Sequence, residues 1–457
     1  MNSMETIIRE TVAGTVKGQT QDQLEIYRGI PYAEPPIDTN RFKHAKLKMQ
    51  WDNNNLDATS FGPIPLQPYN KLETFFSTHN QNFEQSEDCL YLNIYKPLTT
   101  KQNETFPIII WFYGGGFLNG HGSAELYQPQ HLAETAHAIV ITFNYRLGAL
   151  GYTNWHLLNE NYDMNCGLSD QLAVLKWVQY FISDFDGDKD NVTLMGQSAG
   201  AMSIQALLHL KEAEPLFHKV VLSSGTLNFD SIENSRVNAY RFKIMTMLQY
   251  NQSFETLTRP QMMKIMDKDL EDRKPSKGLE LFYRPIFNPD TMSERILGDK
   301  PVLAGYTARE GDIYIRGRFH KLKPKRFMEV AELNDINIDT QLFNIKKHDG
   351  QAVAITEYYF KQPLLVWLNH YPGSKKWLYR FDWSNPESKH FRSPYHILDV
   401  IFWLGHLDIL SAQGAPADSE ALELENEMQE SVAKFIRSGE CDWKPYTQYD
   451  VSPHIFK

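Results

Sequence analysis

The stretch Gly196-Gln197-Ser198-Ala199-Gly200 is the most chemically suggestive in this 457-residue chain. A bare Gly-x-Ser-x-Gly pattern arises by chance in roughly one chain in ten of this size, so its surroundings decide what it means. Here it follows the apolar run 192–195 and precedes the helix-compatible stretch 201–210. A serine on a tight strand-to-helix turn is held in strained backbone geometry with its oxygen exposed, and only small neighbours fit. Gly196 and Gly200 supply that room, which makes Ser198 a candidate nucleophile for attack on a carbonyl carbon. The competing reading, a glycine-rich turn with an ordinary exposed serine, gives no reason for the flanking strand and helix.

A second signal is Tyr113-Gly114-Gly115-Gly116-Phe117, a triple glycine at the end of the apolar run 108–112. Attack on an ester carbonyl puts negative charge on its oxygen, and each pre-aimed backbone N–H lowers the barrier by roughly 3 kcal/mol. Glycines let the backbone approach that closely. The expected donors are the N–H groups of Gly115, Gly116 and Ala199. A flexible loop is the alternative, but flexible loops seldom sit at the sheet end where a nucleophile also emerges. The serine further needs a histidine to take its proton and a carboxylate to orient that histidine. Fifteen histidines and 56 acidic residues leave many candidates. This chemistry calls for no metal and no cofactor.

These residues need a frame. The runs 108–112, 138–143, 192–195 and 220–223 are apolar without alternation, as suits strands buried on both faces. Between the second and third, Leu168, Leu172, Leu175, Val178 and Ile182 mark one face of an amphipathic helix. Strand, helix, strand in succession predicts an α/β chain with a mostly parallel central sheet flanked by helices. Residues 228–300 turn polar and Met-rich and read as a helical cover. Strand signals return at 301–306 and 376–383, and 423–436 reads as a closing helix. With no repeat, low-complexity segment or long linker, residues 1–457 read as one continuous domain.

The bulk composition, 42% hydrophobic and 13% aromatic, can fill a large core. A net charge of -10, with Lys and Arg scattered singly, argues against nucleic acid as a partner. The longest apolar run, 108–113, is far short of the roughly 20 residues of a membrane helix. Residues 1–6 have neither the basic start nor the apolar run of a secretory leader. Three scattered cysteines, Cys89, Cys166 and Cys441, suit neither a disulfide framework nor a zinc site. A reducing cytoplasm is the expected location. Nothing in the sequence bears on oligomeric state.

Longer motifs point further. Arg28-Gly29-Ile30-Pro31-Tyr32-Ala33-Glu34-Pro35-Pro36 with Arg41-Phe42, Glu87-Asp88-Cys89-Leu90-Tyr91-Leu92-Asn93, and Asn144-Tyr145-Arg146-Leu147-Gly148 with Asp170-Gln171 occur in order along the chain. Together they resemble the type-B carboxylesterase and cholinesterase family, and most of all its bacterial para-nitrobenzyl esterases, over nearly the whole length. The resemblance implies an α/β-hydrolase fold and a serine esterase that cleaves small-molecule carboxylic esters through an acyl-enzyme. Within 305–311, the segment Gly305-Tyr306-Thr307-Ala308-Arg309-Glu310-Gly311 is similar to the family's acid loop and implies Glu310, with Asp312 beside it past Gly311. The segment Tyr395-His396-Ile397-Leu398-Asp399 resembles the histidine loop and implies His396, with His390 and His406 as rivals.

The resemblance also implies two framework ion pairs, Arg146 with Asp170 and Arg41 with Glu87. Most relatives carry His at Tyr113, Glu at Gln197 and Gly at Asp186. Tyr113, Gln197 and Phe117 are expected around the substrate pocket, where an uncharged Gln197 favours neutral, fairly apolar esters. Extracellular relatives pair the cysteine matching Cys89 with one upstream, which this chain lacks. Two other activities remain compatible with the pattern. One is a catalytically inactive relative of the binding and adhesion type, and the other a thioester, amide or carbamate hydrolase using the same residues.

Overall fold

The computed structural model describes residues 5–79, 82–276, 278–317, 319–415 and 417–457, so Met1 to Met4 of the opening segment read above lie outside the described residues. The unalternating apolar runs become the middle of one sheet: β6 (Phe106–Phe112), β7 (Ile139–Phe143), β8 (Gly187–Gln197), β9 (Lys219–Ser223), β10 (Val302–Thr307) and β11 (Lys376–Phe381). Every residue of β7, β9 and β10 is buried, because helices cover both faces. The order is β7-β6-β8-β9-β10-β11, all parallel, with the short β12 (His454–Phe456) beside β11.

The N-terminal part differs from a parallel sheet. Here β1 (Glu5–Thr11), β2 (Gly14–Gln21), β3 (Leu24–Pro31) and β5 (Tyr91–Pro97) join antiparallel and meet β7, while β4 (Asn55–Asp57) pairs with β2. Strand β1 alternates between exposed and half-buried residues, so no continuous apolar run marks it in the sequence.

Strand order reverses at β6, whose neighbours are β7 and β8. In open α/β sheets such a switch point leaves a crevice beyond the carboxyl ends of the strands. The glycine loop leaves β6 there, the Gly-x-Ser-x-Gly turn leaves β8, and the loop holding Glu310 leaves β10. The helices Cys166–Phe181 and Ala199–Leu207 carry the chain back for β8 and β9.

The stretch 228–300 is helical only in its first part, at Ile232–Tyr250 and Arg259–Arg273. The described residues after it are irregular, since Pro275, Pro285 and Pro289 each remove a helical donor and fix φ. This cover packs Phe242, Met262 and Met266 into a satellite core with Phe117, Ala199 and Met202. A second satellite core, around Phe327, Val330, Ala352, Ile355 and Phe360, brings further helices over the same crevice. Nothing in the sequence reading anticipated it.

Candidate active site

Ser198 stands between the last residue of β8 and the first of the helix Ala199–Leu207, with φ 55° and ψ -123°. A side chain in this region costs about 1–3 kcal/mol, and the surroundings must hold it. They do so through the Ser198 N–H donating to Ser223 O at 2.8 Å and the Met202 N–H donating to Ser198 O at 2.9 Å. Gly200 has no alternative: a Cβ there would sit 1.9 Å from the carbonyl oxygen of Phe112. The helix can therefore start against β6 only with glycine at this position. The Ser198 side chain is half-buried, and its hydroxyl makes no hydrogen bond among the described residues.

The glycine loop curls beside this turn. Gly115 and Gly116 have φ of 122° and 60°, and a Cβ on Gly115 would meet Asn119 O at 2.1 Å. Among the described residues, the N–H groups of Gly115, Gly116 and Ala199 have no hydrogen-bond acceptor, and Ala199 is the first residue of its helix. Unpaired N–H groups at a helix start are ready to receive developing negative charge. Phe117 packs edge-on against Tyr152 within the satellite core. Tyr113 is wholly buried behind the loop, stacked on Tyr145 with ring centroids 4.4 Å apart, and so stands a layer back from the crevice.

Glu310, fully buried just beyond β10, accepts from the Thr307 N–H at 2.7 Å and from the Ser224 hydroxyl at 2.6 Å through Oε1. Its Oε2 lies 2.6 Å from His396 Nδ1. Such a carboxylate fixes the imidazole tautomer with the proton on Nδ1 and leaves the Nε2 lone pair free to accept. The rivals go elsewhere. Asp312 pairs with Arg309 at 2.9 Å, the His406 ring meets Gln128 O at 2.7 Å, and the His390 ring sits against Phe75. Both expected ion pairs form. Arg146 Nη2 and Asp170 Oδ1 are 2.6 Å apart and almost unexposed, and Arg41 Nε donates to Glu87 Oε2 at 2.6 Å.

The sequence reading did not foresee that Gln197 contacts the base, nor any role for Asp399. Gln197 Nε2 lies 3.1 Å from His396 Nε2, which joins a residue expected near the substrate to the imidazole itself. Asp399, one turn past His396 and fully buried, accepts from the Ser223 hydroxyl, from Tyr379 Oη at 3.3 Å and from Trp403 Nε1 at 3.3 Å, while its Oδ1 has no partner among the described residues. Burial pushes its carboxyl up to about 6 against the pull of the Ser223 hydrogen bond, and the charge of Glu310 pushes the same way as burial. Its presence in the histidine-loop motif was the only available signal.

Among the described residues no cluster of His, Cys, Asp and Glu could hold a metal, all three cysteines are unpaired, and no helix is long and apolar enough to cross a membrane. The profile of the Carboxylesterase family matches residues 5–452. The para-nitrobenzyl esterase of Bacillus subtilis (strain 168) is 32% identical over 456 residues, spanning 94% of this chain and 89% of that one. A solved PNB esterase superposes with a TM-score of 0.88 at 30% identity, covering 98% of this chain and 95% of the other. A carboxylesterase of Geobacillus stearothermophilus does so with 0.83 at 25% identity, over 98% and 96%.

Proposed function

Because the chain belongs to the carboxylesterase family and is a serine hydrolase of carboxylic esters, we propose that Ser198 is its nucleophile, His396 its general base and Glu310 the carboxylate that orients the base. The Ser198 oxygen attacks the ester carbonyl as its proton passes to His396 Nε2. The N–H groups of Gly115, Gly116 and Ala199 receive the carbonyl oxygen as it becomes anionic. The imidazolium then gives its proton to the departing alcohol. Water, activated by the same ring, releases the acid from the acyl-enzyme. The observation that carries this reading is the 2.6 Å contact of buried Glu310 with His396, beside a serine held in a strained turn.

Substrates are proposed to be neutral, fairly apolar esters of short to medium acyl chain, received between Gln197 and Phe117, with Tyr113 buttressing the glycine loop from behind. The whole chain acts as one catalytic domain with its cover, and the three unpaired thiols favour a cytoplasmic location.

The test is labelling with a fluorophosphonate alongside steady-state ester hydrolysis. Wild type takes up one equivalent of label and Ser198→Ala none. Ser198→Ala and His396→Ala each lower kcat at least about a thousandfold, since such residues act as a unit. Glu310→Gln costs less than either. A Ser198→Ala protein that keeps more than a few per cent of turnover would show that the nucleophile lies elsewhere.

A further inference from the structure

Gln197 bridges the two halves of the site. Its side chain is 1% exposed and its Nε2 lies 3.1 Å from His396 Nε2. Its Oε1 is so near the glycine loop that a Cβ on Gly114 would come within 2.4 Å of it. The tautomer dictates how the amide faces. Glu310 takes the Nδ1 proton at 2.6 Å, so a neutral ring offers a lone pair at Nε2, and only an N–H can be turned towards it. The ring nitrogen that must accept the Ser198 proton is already occupied, while the Ser198 hydroxyl has no partner among the described residues.

We propose that Gln197 is a positioning residue that caps the base in the resting enzyme, donating its amide N–H to His396 Nε2 and yielding that acceptor to Ser198 when the alcohol part of an ester enters. The inference rests on the assignment of Ser198 and His396 above. The cap favours the neutral ring, because a proton on Nε2 would set two donors face to face. An approaching ester displaces the amide from one side as Ser198 supplies a replacement hydrogen bond from the other. The amide hydrogen bond is then exchanged rather than lost. The other groups facing the ring are Glu310 from the turn after β10, Asp399 from the helix Leu398–Leu404, and the rings of Tyr314 and Phe360 at 5.9 and 4.8 Å.

The experiment measures kcat/KM for one neutral ester against pH in wild type, Gln197→Leu and Gln197→Glu. The three profiles are repeated in an Asp399→Asn background, which removes the other buried acid beside the ring. Loss of one ordinary hydrogen bond to the neutral ring moves the half-maximal pH of the leucine variant up by roughly 0.4 to 1 unit. The glutamate variant moves further, since a carboxylate accepts from the protonated ring. The half-maximal pH does not depend on what fraction of a preparation is folded, so partial misfolding leaves the readout intact. If the leucine variant yields no folded protein, the near-isosteric glutamate variant decides, and an unmoved profile there overturns the cap. Coincident wild-type and leucine profiles, or a leucine profile shifted down, also overturn it, the latter because the amide oxygen would then face the ring. An active His396→Ala enzyme would instead remove the base assignment and the cap together.

Discussion

Asp399→Asn exchanges a buried carboxyl for an amide of the same shape, and its effect on stability follows from the surroundings of that carboxyl. Its folded value, pushed by burial to about 6, lies above the ordinary 3.8. A raised carboxyl binds its proton more tightly folded than unfolded. Its contribution is therefore fully present below pH 3.8 and is lost as pH rises through 6. A shift of about 2 units is worth about 3 kcal/mol over the full range, of which about 2 kcal/mol falls between pH 4.5 and 7. Asparagine carries no such term. It keeps an oxygen for the donors Ser223, Tyr379 and Trp403, but places an NH2 where Oδ1 has no partner, at a pH-independent cost of about 1–3 kcal/mol. The assay is denaturant unfolding of both proteins at pH 4.5 and 7, with the difference between them taken at each pH so that all other titrating groups cancel. The variant should gain about 2 kcal/mol on wild type across that interval. A difference that stays constant to within about 0.5 kcal/mol, or one that moves the other way, would refute the reasoning.

Arg146→Ala strands Asp170, which is fully buried, and should destabilise by about 3–5 kcal/mol; an unchanged melting temperature would remove that role for the pair. Gly200→Ala drives a methyl into Phe112 O and should abolish fluorophosphonate labelling even in protein that remains soluble, so a variant labelled at the wild-type rate would contradict the packing. With an uncharged Gln197 next to Ser198, a choline ester and its dimethylbutyl isostere should have kcat/KM values within about tenfold of each other at physiological salt. A carboxylate there would favour the cation by roughly 3 kcal/mol at 5 Å and an effective dielectric near 20, and Gln197→Glu should show a gain in that direction.

What could be read from the sequence divides along a physical line. A backbone constraint acts on residue types at fixed spacing, so Ser198 with Gly196 and Gly200, and the glycines after β6, declare themselves locally. Strands buried on both faces do so too, because every residue of β7, β9 and β10 is buried and burial favours apolar side chains. Strands β1 and β2 bury only part of their surface, and β1, reading Glu5–Thr11, has too little apolar character to be told from a loop. Glu310 and His396 need only converge in space, 86 residues apart, and no spacing rule selects them from so many acids and histidines; family motifs did. Asp399 and the Gln197 cap lie further from view, since a carboxyl is raised and an amide aimed by neighbours that only the fold assembles.

Asp186 illustrates the same division from the opposite side. The family resemblance implies glycine there, and the residue sits at φ 61°, where glycine is free and any other side chain is strained. Aspartate tolerates that conformation better than most residues. Here its carboxylate also reaches Arg9 at 3.1 Å and the fully buried Lys96 at 3.2 Å, beside Glu25 at 3.1 Å from the same lysine. A lysine with no exposed surface needs its charge matched, and Glu25 alone is shared with Arg9. Asp186 thus supplies a second anion to a buried cation, at the cost of a left-handed backbone. Asp186→Gly should relieve the backbone yet destabilise the protein, whereas Asp186→Gly combined with Lys96→Met should recover most of the loss. Equal stability of the single and double variants by denaturant unfolding would show that Lys96 does not depend on Asp186.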